Sequence, residues 1–188
     1  MLFHASQIAN IEYLEPRISN HNIPLVYFSS KKENTFVYLS NAVEKYCKET
    51  GYVHLGKWEK WGSYGFTTDG ILRIEEYYPN ATIDTYKGVS GYIYSTSATN
   101  KTEKLPDIPF AYISKSRILT EHVEYIPDAY DAIMEAVAVG HIALRKYEDY
   151  TAKAHQGIKD MILNEYKTAT EEYKHFLEGK FEFTSSNS

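Results

Sequence analysis

Hydrophobic positions fall in short runs along the first two thirds of the chain and at helical spacing in the last third. Residues 2–6 (Leu-Phe-His-Ala-Ser) read as a first strand, and 11–16 as a second extended piece ended by proline. Residues 25–29 (Leu-Val-Tyr-Phe-Ser) are aromatic and β-branched, bounded by Pro24 and by Ser30-Lys31-Lys32, which predicts a strand after a polar loop at 19–24. From 35 to 50 the apolar residues Phe36, Leu39, Val43, Tyr46 and Cys47 recur at three and four, and Gly51 follows, so a helix is expected. Further strands are predicted at 52–55, 71–78, 91–95, 110–114 and 122–126, with a polar loop from 96 to 109.

Beyond 126 the period changes. Pro127 and Asp128 open a helix carrying Tyr130, Ile133, Met134 and Val137, stopped by Gly140. Residues 141–147 read as extended. From 151 to 178 one apolar stripe runs through Ile158, Ile162, Tyr166, Tyr173, Phe176 and Leu177 with Lys and Glu opposite, predicting a long final helix. Its stripe serves either the core or a second copy of the chain. Consecutive strands followed by helices imply the α+β class with a largely antiparallel sheet and C-terminal helices. The implied organisation is a β-rich body at 1–126, a helical segment at 127–179 packed on it, and a tail at 180–188.

Length and composition narrow the chemistry. With 188 residues, one domain is expected. Eighteen residues are Tyr, so the core must use phenol rings whose hydroxyls need partners or water. The net charge of −5 and the absence of a basic stripe argue against DNA or general nucleic-acid binding. Cys47 alone permits no internal disulfide and no multi-cysteine zinc site, and reads as a packed, inert thiol. The seven histidines are scattered without the i, i+4 pairing of metal-binding helices, so no metal is expected. No apolar run is long enough to span a bilayer and residues 1–7 do not resemble a signal peptide, which implies a cytoplasmic protein without membrane attachment. Phosphate-binding glycine loops and nucleophile-elbow motifs are missing.

Candidate chemistry sits near the N-terminus. His4 lies in the first strand and Tyr27 in the next strong one, with Ser6 and Ser29 two residues beyond each, and a helix follows. An imidazole offers a donor and an acceptor to a ribose hydroxyl, and a phenol ring offers a face to a planar heterocycle. Two strands can hold both groups toward one hollow. Acid candidates are Glu121 and Glu124 in "TEHVEYI", and Glu75 and Glu76 in "RIEEYY". Glu121 and Glu124 are an odd number of residues apart and would face opposite sides of a strand. Aromatic stretches "WEKWGSYGF" and "YYPNATIDTYKGVSGYIY" suggest core, a turn and a hairpin, or else a pocket wall, with Arg73 and Lys87 as cations for an anionic ligand.

The segments "LFHAS" at 2–6, "VYFSS" at 26–30 and "SNAVEKY" at 40–46 resemble the His–Tyr–acid branch of the ADP-ribosyltransferase superfamily. The resemblance covers about the first 50 residues. It implies a split β-sandwich with an NAD cleft, NAD as substrate and loss of nicotinamide to an acceptor nucleophile or water. His4 would match the ribose-binding histidine and Tyr27 the nicotinamide-stacking tyrosine. Ser6 and Ser29 would lie beside the cofactor, and Glu124 or Glu121 would stabilise the oxocarbenium-like transition state, because charge develops at the sugar carbon. Two other readings use the same residues. One is a non-catalytic ligand-binding or interaction module that forms a homodimer through 151–178. The other is a different nucleotide- or RNA-processing enzyme.

Overall fold

Alternation and turn residues set up most of the strands, and their pairing decides which side chains meet. In the computed structural model, residues 1–18 and 23–181 are described. The strands are β1 (Leu2–Ser6), β2 (Tyr13–Leu14), β3 (Arg17–Ile18), β4 (Pro24–Ser29), β5 (Tyr64–Phe66), β6 (Leu72–Glu75), β7 (Gly91–Thr96), β8 (Glu103–Lys104), β9 (Ala111–Ser114), β10 (Ile118–Leu119), β11 (His122–Ile126) and β12 (Ile142–Arg145). The helices are α1 (Ala42–Glu49), α2 (Ala81–Tyr86), α3 (Ala129–Ala138), α4 (Ala152–Tyr166) and α5 (Glu171–Lys180). A short 3-10 helix covers Glu33–Tyr38.

The main sheet has the order β11-β7-β1-β4-β9-β8, with β3 also on β4, and every pairing in it is antiparallel. A smaller sheet, β12-β6-β5, joins β6 and β12 in parallel. The α+β class holds, with a largely antiparallel body and helices at the C-terminal end. Residues beyond 126 share the packing of the β-rich body. β12 completes the small sheet, and α3 buries Ala129, Ile133 and Ala136 in the core between the sheets.

That central core joins Phe3, Ala5, Ile93 and Ile126 of one face of the main sheet to Leu72, Ile74 and Ile142 of the small one. Phe36, Val37 and Leu39 close it from the 3-10 helix and the residue after it. Gly91 makes this possible: a Cβ there would stand 2.4 Å from the Leu39 side chain and 3.0 Å from the Ser6 carbonyl. The other sheet face carries Leu2, Val26, Phe28 and Tyr94, covered by Ile11, Leu14 and Ile118.

Several elements differ from expectation. The helix expected over 35–50 is two pieces, because Leu39 leaves helical backbone (φ −83°, ψ 69°) and Ser40 spends its hydroxyl on the Trp61 carbonyl at 2.8 Å. The stretch after Tyr78 forms α2 before β7, so it is not a simple hairpin; Asn80 takes a left-handed conformation (φ 60°), and buried Glu76 accepts the Thr82 N–H at 3.0 Å. The long final helix breaks into α4 and α5. Its stripe lies within the chain, with Ile162, Phe176 and Leu177 fully buried against α1, Trp61 and Tyr78. Among the described residues the apolar side chains of 151–178 thus mostly face inward, with Met161 exposed. Cys47 is buried in the same cluster, and burial pushes its thiol pKa up. Residues 19–22 and 182–188, which hold most of the expected polar loop and of the tail, lie outside the described residues.

Candidate functional site

Between β1 and β4 the ladder of the main sheet is reduced to a single pair. On its other side β1 pairs with β7 over its whole length, from Leu2↔Thr96 to Ser6↔Tyr92. Toward β4 the register holds one pair, Phe3↔Ser29. Backbone direction explains what should come next. The Ser95 carbonyl accepts from Glu121 N–H at 2.9 Å, so Ser95 turns to β11 and its neighbours turn to β1. His4 then shares hydrogen-bonded pairing with β7, and Phe3 and Ala5 turn their peptide groups toward β4. On β4, Ser30 N–H donates to the Phe110 carbonyl at 2.9 Å, so Tyr27 and Ser29 turn toward β1. The next reciprocal pair would be Ala5–Tyr27, and it is not made.

His4 occupies the opening instead. Its Nδ1 lies 2.8 Å from the main-chain oxygen of Tyr27. A carbonyl only accepts, so Nδ1 carries the proton and Nε2 is left as an acceptor. Burial lowers the imidazole pKa below the usual 6.5; the Tyr27 carbonyl works against that shift and the Arg17 guanidinium adds to it. The ring is held edge-on to Phe28, centroids 6.0 Å apart. Two residues before Tyr27 on β4, Leu25 pairs with Arg17 of β3. The opening is therefore bounded by β1 on one side and β3 on the other.

The register also corrects one expectation. Side chains of directly opposed residues share a face, so His4 belongs with Phe28 and Tyr94 on one face, and Tyr27 with Ala5 and Ser29 on the other. The two rings do not look into one hollow from the same side. They meet through the Tyr27 main chain. Ser6 shares the His4 face and bonds Ile8 N–H at 3.1 Å; the Ser29 hydroxyl is buried and accepts Lys31 N–H at 3.1 Å.

Glu124 and Glu121 part as their spacing required. Glu124 pairs with Ile93, and Ile93 with Ala5, so Tyr27, Ala5, Ile93 and Glu124 form one row across four strands on one face. At ~4.8 Å per strand the ends of that row are roughly 14 Å apart, too far for direct contact. Glu124 is half exposed and paired with the Lys32 ammonium at 3.0 Å. Glu121 instead accepts the Ser97 hydroxyl at 2.6 Å and the Ser97 N–H at 3.0 Å, and these bonds hold its carboxyl below the usual range. It ties down the turn after β7. Glu75 is occupied by Arg73 and Tyr77, and Glu76 caps α2. Arg73 and Lys87 are likewise engaged, Lys87 with Asp128 at 3.2 Å and Asp131 at 2.7 Å.

Sequence reasoning missed the groove beside Glu124. About 470 Å³ in volume, it lies between β11, α3 and the 3-10 helix, and Lys32, Glu33, Asp131 and Glu135 stand on its rim. Spacing gave no signal for it, because its walls come from three separated segments. Among the described residues no three His, Cys, Asp or Glu side chains converge as metal ligands. No described helix is long and apolar enough to cross a membrane. Comparison with protein-family models, curated proteins and solved structures finds no match to this chain.

Proposed function

We propose that the chain is an ADP-ribosyltransferase-like protein that binds NAD beside Tyr27, where the β1–β4 ladder breaks off, and displaces nicotinamide. The interrupted β1–β4 ladder carries this reading. Ala5 turns one N–H and one C=O toward the gap outside the reciprocal ladder, and a carboxamide offers the matching acceptor and donor. Ligands that complete a strand edge in this way gain main-chain hydrogen bonds without reorganising the sheet. Tyr27 lies beside Ala5 on the same face and offers its ring to the pyridine. His4 lies on the opposite face and acts in this reading as a positioning residue, holding the Tyr27 main chain through its Nδ1–H.

Glu124 supplies the charge. In the reaction the bond between the ribose carbon and the pyridine nitrogen breaks, and its electron pair leaves with nicotinamide. The lone pair of an acceptor nucleophile, or of water, forms the new bond, and the acceptor's proton passes to solvent or to the carboxylate. A carboxylate near the sugar favours the positive charge that builds there. Its ion pair with Lys32 is solvent-exposed on both sides, and such pairs contribute ~0–1 kcal/mol, so Glu124 is free to exchange partners. The proposal includes a cytoplasmic setting, and a single buried thiol fits a reducing compartment.

Thermal shift and calorimetry with NAD, ADP-ribose and nicotinamide test this reading. Saturable stabilisation is expected in the wild type and is lost in His4→Ala, whereas Glu124→Gln keeps binding and loses nicotinamide release. Absence of any shift with all three compounds in the folded wild type overturns it.

A further inference from the structure

Beside β11 the molecule combines an open strand edge with a groove in which carboxylates outnumber cations. β11 ends the main sheet, and among the described residues nothing pairs with its outer side. Because His122, Glu124 and Ile126 share hydrogen-bonded pairs with β7, Val123 and Tyr125 turn their N–H and C=O groups outward. Their side chains are exposed as well, 59% for Val123 and 55% for Tyr125. An unpaired edge of five residues that exposes Val123 and Tyr125 is a template for another extended chain.

The groove specifies which chain. It has an apolar floor that includes Phe36, Ile126 and Ala136. Around it stand Glu33, Glu124, Asp128, Asp131 and Glu135, against the single lining lysine Lys32. Lys87 reaches Asp128 and Asp131 from outside, and His141 lies 3.2 Å from Glu33. Among the described residues Glu135 makes no ion pair. A strand added alongside β11 directs alternate side chains to the same face as Glu124, which is the groove side. Lysine or arginine at those positions meets a groove whose five carboxylates are only partly offset by Lys32 and Lys87, while its methylene stem covers the floor. Two copies of this chain joined edge to edge would instead bring two acidic grooves together, which disfavours a homodimer here.

We propose that the β11 edge and the acidic groove dock an extended, Lys/Arg-bearing polypeptide segment as an added strand. This docking does not depend on NAD, so its test is run without nucleotide. The probe is a fluorescein-labelled capped heptapeptide alternating Thr and Arg, titrated by anisotropy into the full chain, with the Thr/Glu peptide as control. Saturable binding of the Arg peptide is expected, weakened by added salt. Glu135→Lys, an exposed change on α3, should weaken it by about fivefold or more, since it reverses the unpaired charge in the groove. Val123→Pro removes an outward N–H without touching the β7 pairing and should weaken it similarly. Equal affinity for the Arg and Glu peptides, no effect of Glu135→Lys in a variant with native circular dichroism, or concentration-dependent dimerisation abolished by Val123→Pro would each overturn the proposal, the last in favour of a second copy.

Discussion

His4 donates its Nδ1–H to the main-chain oxygen of Tyr27 at 2.8 Å, in the place where a strand-to-strand hydrogen bond would otherwise run. The imidazole both opens the sheet and satisfies the carbonyl that the opening exposes. His4→Phe keeps the ring's bulk and removes the donor, leaving that carbonyl without this partner; the expected loss is ~1–3 kcal/mol in urea unfolding. His4→Gln retains a donor and should lose less. Nitrogen-15 shifts of the native imidazole should report the Nδ1–H tautomer, and a dominant Nε2–H form would contradict the arrangement.

The same burial makes His4 a source of acid sensitivity. Its folded pKa lies below 6.5, so the unfolded chain takes up a proton first as the pH falls. Between 6.5 and the lower folded value the unfolded state binds more protons, and stability rises with pH across that window. The native chain should therefore lose stability as the pH falls from 7 toward 5. That part of the slope should flatten in His4→Gln, measured by urea midpoints at each pH. An unchanged slope would show that the imidazole titrates equally in both states.

How much of this was legible beforehand depends on whether a residue's role is local. β1, β4, β7, β9, β11 and α3 follow from alternation, Pro24, and the Pro127-Asp128 start, and they stand within a residue or two of their expected bounds. The odd spacing of Glu121 and Glu124 foretold their separation, and the turn held by Ser97 gives it a reason. The broken helices were not legible. Leu39 fits a helical period, yet its side chain is fully buried over Gly91, and that contact is visible only once β7 is in place. The His4–Tyr27 relationship was half legible. The strands were evident, but the faces depend on register, and the one pair Phe3↔Ser29 fixes that.

Asp128 holds the start of α3 and the approach to β7 together. Its carboxylate accepts Tyr130 N–H at 2.9 Å and Asp131 N–H at 3.2 Å, and Gly88 N–H at 3.0 Å on the other oxygen. Burial alone would raise its pKa, but these donors and the Lys87 ammonium hold it below the usual carboxylate range. Asp128→Ala should cost ~1–2 kcal/mol by the helix-cap loss alone. Asp128→Asn should recover part of the cap while losing the ion pair. Equal melting temperatures for Asp128→Ala and the native chain would count against this role.

Gly179 gives the sharpest test of the packing around α5, because two effects oppose each other there. Alanine in a helix interior is favoured over glycine by up to ~1 kcal/mol. A Cβ at this position, however, would stand 1.8 Å from the Tyr46 hydroxyl oxygen and 2.1 Å from the ring carbon that bears it. The ring has little freedom to yield. It packs edge-on to Phe176 with centroids 5.9 Å apart, lies 5.4 Å from His175, and is capped by the Lys180 ammonium at 4.8 Å. Overpacking of this kind costs ~1–3 kcal/mol, more than the propensity gain, so Gly179→Ala should lower the melting temperature. Tyr46→Phe cannot relieve it, since the ring carbon remains in the way. In a Tyr46→Val background the obstruction is gone and the same Gly179→Ala change should become neutral or stabilising. A double-mutant cycle therefore predicts a change of sign. Destabilisation by Gly179→Ala that persists unchanged without the ring would mean that glycine is needed there for some reason other than the approach of Tyr46.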